Sequence, residues 1–402
     1  MQITNELTLW YDNYQENNCC YQDAVYSNRT IIEKLKNNNI DFSTKQTTDE
    51  FDATANNIYV IELLNVYIDY DIFSLIPNHT KNLFKKGLSL LLYYPREGHI
   101  IENWFPNLYK NLKKNNLLQN KIFFVFGDND IEVNYKNFCK SHNLKSFLTP
   151  IAVDYFTGDY IENVKNSNVS IKLEKKYDFL FYNGKMRPHR LYAVSRLSQK
   201  NLLNKSLTSL VTINNCKYYS LDKCLSVLEE QNVDTKNTRE FVNNFQPILL
   251  DVEPPTDDFS EREVTEVTTE WHYTESFFSI VSETTPMNRF ITEKTYKPIL
   301  NLHPFIVIGP AKILELLRNR GFYTFEEMFD ESYDQELNYI KRIDMVLKEV
   351  EKFSNLCIHE KYTLYKEVIP KIIRNREHFI QIAKESSVRE FSKIFNTIKD
   401  KT

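Results

Sequence analysis

Three apolar runs set the terms for the first half of the chain: Ile58-Tyr-Val-Ile-Glu-Leu-Leu64, Leu88-Ser-Leu-Leu-Leu-Tyr-Tyr94 and Lys121-Ile-Phe-Phe-Val-Phe126. Each has the length of a strand and is nearly continuous in apolar character, and helical text such as 101 to 118 separates them. A strand exposed on one face alternates apolar with polar residues. A strand that is apolar throughout is buried on both faces, which calls for a parallel sheet with helices on either side. A short segment around Ala152 to Tyr155 is expected to close this domain, and Trp104-Phe105 is expected to pack in its core.

The text turns polar between Gly158 and Lys176, and a second series then begins. Tyr177 to Tyr182 reads as a strand, Arg190 to Leu203 as a helix, Leu207 to Thr212 as a strand and Leu221 to Gln231 as a helix. The piece from Val233 to Trp271 lacks strong periodicity and reads as an inserted loop. Beyond Phe278 to Thr285, a strand, come a short helix and a second strand, Pro304-Phe-Ile-Val-Ile-Gly309. A helix over Pro310 to Arg320 follows, with proline in its first turn and Gly321 just past its end. Segments 335–353, 362–373 and 378–395 are mainly helical. With 402 residues the chain is long for one core. The division expected is 1–170, one α/β domain; 171–370, a second; and 371–402, a helix packing back on the first.

Composition excludes some functions. A net charge of -4 is not the broadly basic surface of a dedicated nucleic-acid binder. The six cysteines show no zinc spacing, and His99, His272 and His303 are scattered, so no metal site is expected. The start of the chain carries neither a basic stretch nor an apolar run, and no window reaches the length of a membrane span; the expected location is the cytoplasm, a host's if the protein is viral. Only seven glycines occur in a chain rich in Asn, Lys, Ile, Tyr and Phe, a bias that suits an AT-rich coding genome. Scarcity makes each glycine informative, and Gly98, Gly127, Gly184 and Gly309 all follow apolar strand-like runs.

Two constellations carry chemistry. In Tyr182-Asn-Gly-Lys-Met-Arg-Pro-His-Arg190 a strand stops at Asn183-Gly184, and Lys185, Arg187, His189 and Arg190 then gather at a helix N-terminus. Guanidinium forks there match phosphate oxygens, and a diphosphate is the natural occupant; a solvated basic turn is the plain alternative. The second is Glu283 with Thr292-Glu293-Lys294. Transfer from a nucleotide sugar expels a diphosphate, so it needs cations at that leaving group, for which Lys294 and one of Arg187 or Arg190 are suited. Glu293 would fix ribose or sugar hydroxyls. The plain alternative is a surface charge pair on a helix capped by Thr292. Just before the strand at 278, His272 and Tyr273 are further candidates for contact with donor or acceptor.

The run Ser282-Glu283, Phe290-Ile-Thr-Glu-Lys294 and Pro304 to Gly309 resembles the C-terminal signature of the α1,3-fucosyltransferase family, and the turn from Tyr182 to Arg187, with Arg190, resembles that family's strand-Asn-Arg element. The chain is similar too to glycosyltransferase-like proteins of phages and giant viruses, which share an extended Thr-Glu-Lys-Thr-x-Lys-Pro run, the Gly321-Phe-Tyr-Thr-Phe325 text and Asp330-Glu-Ser-Tyr-Asp334. The resemblance covers residues 177 to 335. It implies a GT-B fold of the α/β class, two Rossmann-like domains facing a cleft with C-terminal helices. It also implies a nucleoside-diphosphate sugar, UDP or GDP, on the second domain, with no cofactor or essential metal and with inversion at the anomeric carbon. Donor contacts would come from Asn183, Lys185, Arg187, Arg190, Tyr273, Glu283, Thr292, Glu293 and Lys294. The helix after Lys294 departs from the family by carrying Thr-Tyr-Lys-Pro, which leaves the sugar open. The acceptor hydroxyl could belong to a glycan, a protein or a modified DNA base.

An inverting transfer needs a base for the acceptor proton. Glu97, in Tyr94-Pro-Arg-Glu-Gly-His99, leaves its strand through a proline and meets a glycine, which makes it the first candidate; Asp128, after the next strand, is the second. Both could instead cap helices. A non-catalytic nucleotide-sugar or glycan binder of the same fold is the rival reading. A dehydrogenase or epimerase is disfavoured, because no three-glycine dinucleotide fingerprint follows any strand.

Overall fold

A computed structural model describes residues 7–11, 25–26, 31–32, 35–36, 42–52, 56–63, 71–95, 104–154, 156–157, 170–184, 186–210, 220–244, 250 and 270–401. The chain divides into two compact units, Met1–Gly158 with Ala383–Thr402, and Asp159–Ile382. Both are α/β units built on sheets that are parallel except for one short strand, and helices make up the C-terminal part of the chain.

In the first unit the strands are β1 (Leu7–Tyr11), β2 (Val25–Tyr26), β3 (Phe42–Gln46), β4 (Asn56–Leu63), β5 (Ser89–Tyr94), β6 (Ile122–Phe126) and β7 (Thr149–Ala152). Their order is β3-β1-β4-β5-β6-β7, all parallel, with β2 antiparallel against the end of β4. β5 and β6 are buried at every position, as their continuous apolar text requires. Alternate residues feed two cores. One holds Tyr59, Leu90, Leu92, Phe124 and Phe126 with Trp104 and Phe105, and the Trp104 ring lies stacked 4.5 Å from Phe124. The helices on this side are α1 (Asn78–Lys85), α2 (Trp104–Lys114) and α3 (Ile131–Ser141). The other face, with Val60, Leu91, Tyr93, Phe123 and Val125, is covered by Phe391, Ile394, Phe395 and Ile398. Each fully buried side chain of this size contributes about 1.5–3 kcal/mol by leaving water.

The second unit's sheet runs β9-β8-β10-β11, all parallel: β8 (Tyr177–Phe181), β9 (Ser206–Thr208), β10 (Ser276–Ser282) and β11 (Phe305–Ile308). Its helices are α4 (Pro188–Gln199), α5 (Leu221–Glu230), α6 (Lys236–Asn243), α7 (Glu270–Glu275), α8 (Glu293–Leu300), α9 (Ile313–Asn319), α10 (Tyr339–Asn355) and the part of α11 (Ile358–Lys401) before Ala383, from which the helix belongs to the first unit. α9 ends as its glycine predicts. Gly321 has φ of +88°, its N–H bonds the Arg318 carbonyl, and the Phe322 N–H bonds the Leu317 carbonyl. A Cβ at Gly321 would meet His378 Nε2 at 2.7 Å, so space and backbone both demand glycine.

Two expectations need correction. The stretch from 233 read as loop contains α6, whose buried contacts are hydroxyls instead of apolar groups: Thr238 meets Ser195 at 3.2 Å, and Thr235 donates to Glu229 at 2.6 Å. Such a face leaves no apolar period to read. The helices expected at 362–373 and 378–395 are one continuous α11, with Pro370 inside it. The polar residues that split the pattern are engaged: Asn375 holds both the N–H and the carbonyl of Tyr323, Arg376 donates to the Leu300 carbonyl, and His378 bonds the Arg320 carbonyl. Among the described residues, no helix is long and apolar enough to cross a membrane.

Candidate functional site

Strand order selects the place to look. From β8 the chain moves outward to β9, and from β10 it moves outward the other way to β11, so the order reverses between β8 and β10. In an open parallel sheet the crevice beyond the carboxyl ends of such a strand pair is left uncovered by connections. The two turns singled out in the sequence leave these neighbouring strands: Tyr182 to Arg187 follows β8, and Glu283 to Thr292 follows β10.

Thr284 is where they meet. Arg187 Nη1 donates to its carbonyl at 2.6 Å, and Lys294 Nζ donates to its hydroxyl at 3.3 Å. Arg190, buried in α4, donates through Nη2 to the carbonyls of Ser282 and Glu283 at 3.2 and 3.3 Å. His189 Nε2 lies 3.0 Å from the Glu283 carbonyl, which can only accept, so this nitrogen carries the proton. Burial, and then the charges of Arg190, Arg187 and Lys294, hold the His189 pKa well below its ordinary value. The imidazole is therefore neutral, and the positive charge comes from two guanidiniums and an ammonium.

Glu283 organises the turn. It is fully buried. Its Oε1 accepts from the Thr292 N–H at 3.1 Å and the Thr295 hydroxyl at 2.5 Å. Oε2 accepts from the Thr292 hydroxyl at 2.6 Å and the Thr284 N–H at 3.3 Å. Gly309, just past β11, packs over its stem: a Cβ there would make only ordinary contact with Glu283 Cβ and Cγ at 3.6 Å, but would press on Val307 Cγ1 at 3.1 Å. Thr292 is the N-cap of α8, accepting from the Lys294 N–H at 3.4 Å.

Glu293 pairs with Lys294. Burial raises the Glu293 pKa, but the charges of Lys294 and Lys297 outweigh it and hold the carboxyl below the usual range. The N-terminus of α8 favours the same ionised form. Lys297, one turn on, is brought down to about 8 by burial and by Lys294, against the pull of Glu293.

Other expected residues stand elsewhere. Asn183 is buried and anchors backbone, its N–H on Ser209 Oγ at 3.0 Å and its amide on the Phe181 carbonyl at 3.4 Å. Tyr273 packs edge-on to His303 at 5.4 Å in a small core with Leu180 and Leu207, and burial pushes its phenol up. Asp128 is fully buried and accepts from the Asp130 N–H and the Asn134 amide, both at 2.9 Å, just before α3, whose N-cap is Asp130. Glu97 and Lys185 lie outside the described residues.

Two participants escaped sequence reading. Lys297 could have been found from its four-residue spacing after Glu293. Arg342 of α10 gave no signal: it is buried, and donates to the carbonyls of Gly309 and Pro286 at 2.8 Å and to that of Glu336. It thereby ties the β10–α8 turn to the end of β11. Among the described residues, no three metal-ligating side chains gather.

No protein-family model and no curated protein matches the chain. Among solved structures it is similar to a crystal structure of an α1,3-fucosyltransferase at 8% identity, over 94% of this chain and 90% of that one, with a TM-score of 0.37. It is also similar to one of an α1,3-fucosyltransferase with GDP-fucose at 9% identity, over 91% and 90%, with a TM-score of 0.34.

Proposed function

We propose that the protein is a glycosyltransferase that moves a sugar from a nucleoside diphosphate, UDP or GDP, to an acceptor hydroxyl, with inversion and without a catalytic metal. The observation that carries this reading is the meeting of Arg187 and Lys294 on Thr284, beyond the carboxyl ends of β8 and β10. Their acceptors on Thr284 are a carbonyl and a hydroxyl, both neutral, which phosphate oxygens can replace as stronger, charged acceptors, while Lys294 keeps the Glu293 carboxylate beside it. In the reaction a base takes the acceptor proton and the acceptor oxygen bonds the anomeric carbon. The bond from that carbon to the diphosphate breaks, and its electron pair leaves on the phosphate oxygen. Lys294 and Arg187 stabilise that developing charge, supported by Arg190. Glu293 is assigned to ribose or sugar hydroxyls and Glu97 to the base. Asp128 is left to the Asp130 N–H and the Asn134 amide that it accepts from. The acceptor is a glycan, a protein or a modified DNA base.

Thermal unfolding in EDTA with a panel of UDP-, GDP-, CMP- and dTDP-sugars tests the reading. A ligand at a hundred times its Kd stabilises the native state by about 2.7 kcal/mol. One nucleotide class should raise the midpoint; no response to any of them rejects the proposal.

Lys297 adds a pH dependence. Its ammonium is charged below about 8 and neutral above it. Affinity for the nucleoside diphosphate should therefore weaken as pH rises through this value, with the midpoint moved upward by the bound anion itself. Calorimetric titrations across this range should show the decline in the wild type and its absence in Lys297→Met.

A further inference from the structure

Three tryptophans occur in the chain. Trp10 and Trp104 are buried in the first unit at 0% and 6% exposure, whereas Trp271 keeps 44% of its surface open. An exposed indole alone means little, since single apolar side chains on a surface are ordinary. Its anchoring is what singles it out. Trp271 lies in α7, edge-on to His272 with ring centroids 4.2 Å apart. His272 is fully buried, its Nδ1 is hydrogen-bonded to the Tyr182 hydroxyl, and the two rings lie 5.6 Å apart. Tyr182 is the first residue after β8 and directly precedes Asn183 and the turn to Arg187. The next residue of α7, Tyr273, is locked in the small core over β8 and β9. α7 is thus fixed on both sides, and its one exposed ring is linked through the His272 ring to the side chain of Tyr182, the residue that follows β8.

We infer that Trp271 is the stacking platform for the nucleobase of the nucleoside diphosphate, an inference that rests on the diphosphate site proposed above. A diphosphate at Arg187 and Lys294 still leaves its nucleoside to be held, and a base is a flat π-system that an indole face receives without regard to its hydrogen-bonding edge. Tyr323, the other exposed aromatic among the described residues, is engaged instead with Arg374 and Lys371. The Tyr182–His272 bond holds the platform's position, so the ring needs no ordering when ligand arrives.

Because the other two indoles are buried, a solute quencher of tryptophan fluorescence acts chiefly on Trp271. In the full chain, quenching by acrylamide should fall when the responding nucleoside diphosphate is added and should stay unchanged with inorganic pyrophosphate, which has no base. Trp271→Ala should weaken nucleoside diphosphate binding about tenfold, the loss of one stacked base, and leave pyrophosphate affinity as it was. Trp271→Phe should recover most of the loss. Equal nucleotide affinity in wild type and Trp271→Ala, or protection of the indole by an acceptor glycan and not by nucleotide, overturns the inference while leaving the diphosphate site intact. If the wild type binds neither pyrophosphate nor nucleotide, both readings fall together.

Discussion

Replacing Lys294 with alanine is expected to lower sugar transfer about a hundred- to a thousand-fold, the usual loss when one preorganised charge facing a developing anion is removed. The loss should appear in kcat/KM and as a vanished thermal response to nucleoside diphosphate. The fold should survive, because the Lys294 side chain is partly exposed and the Glu293 carboxylate keeps the charge of Lys297 to offset it. Arg187→Ala should act in the same direction. Since both cations converge on Thr284, the double variant should lose less than the product of the two single losses. Lys294→Ala with transfer within threefold of wild type would remove the ammonium from the mechanism and with it the assignment of the site.

The residues of this cluster are legible in the sequence, but their meeting is not. Arg187 and Lys294 each announce themselves by charge next to a strand end. That β8 and β10 are neighbours depends on strand pairing across about a hundred residues, which no local pattern records. Glu283 is a sharper case. Its sequence context offers a carboxylate for a ligand, whereas in the structure both oxygens are occupied by four donors of the chain itself. Arg342 was hidden for another reason: its acceptors are backbone carbonyls of three segments, and every residue has a carbonyl. The nearly continuous apolar text of β4, β5 and β6 succeeded because burial on both faces leaves a signature within the strand. β3, nowhere fully buried and mostly polar in text, left none.

Glu283→Ala should be among the most destabilising single changes in the second unit, by about 3 kcal/mol or more. Removing the carboxylate strands the N–H groups of Thr284 and Thr292 and the hydroxyls of Thr292 and Thr295 in a buried place, and each buried donor left unpaired costs about 1–3 kcal/mol. Both threonine hydroxyls can rotate toward other acceptors, so the two backbone donors dominate the loss. Glu283→Gln separates charge from shape. With its oxygen at the Oε1 position the amide keeps the Thr292 N–H and the Thr295 hydroxyl. Its NH2, however, faces the Thr284 N–H donor to donor, and meets a Thr292 hydroxyl that already accepts from Lys294. The amide should therefore cost less than alanine but more than the roughly 0.5 kcal/mol of an ordinary surface change. Denaturant unfolding of the three proteins orders them: wild type, then Gln, then Ala. Transfer should fall in the same order, since Thr284 and Thr292 are the residues on which Arg187 and Lys294 rest. An alanine variant as stable as wild type would mean that water satisfies all four donors, and that Glu283 is free for the ligand role its sequence first suggested.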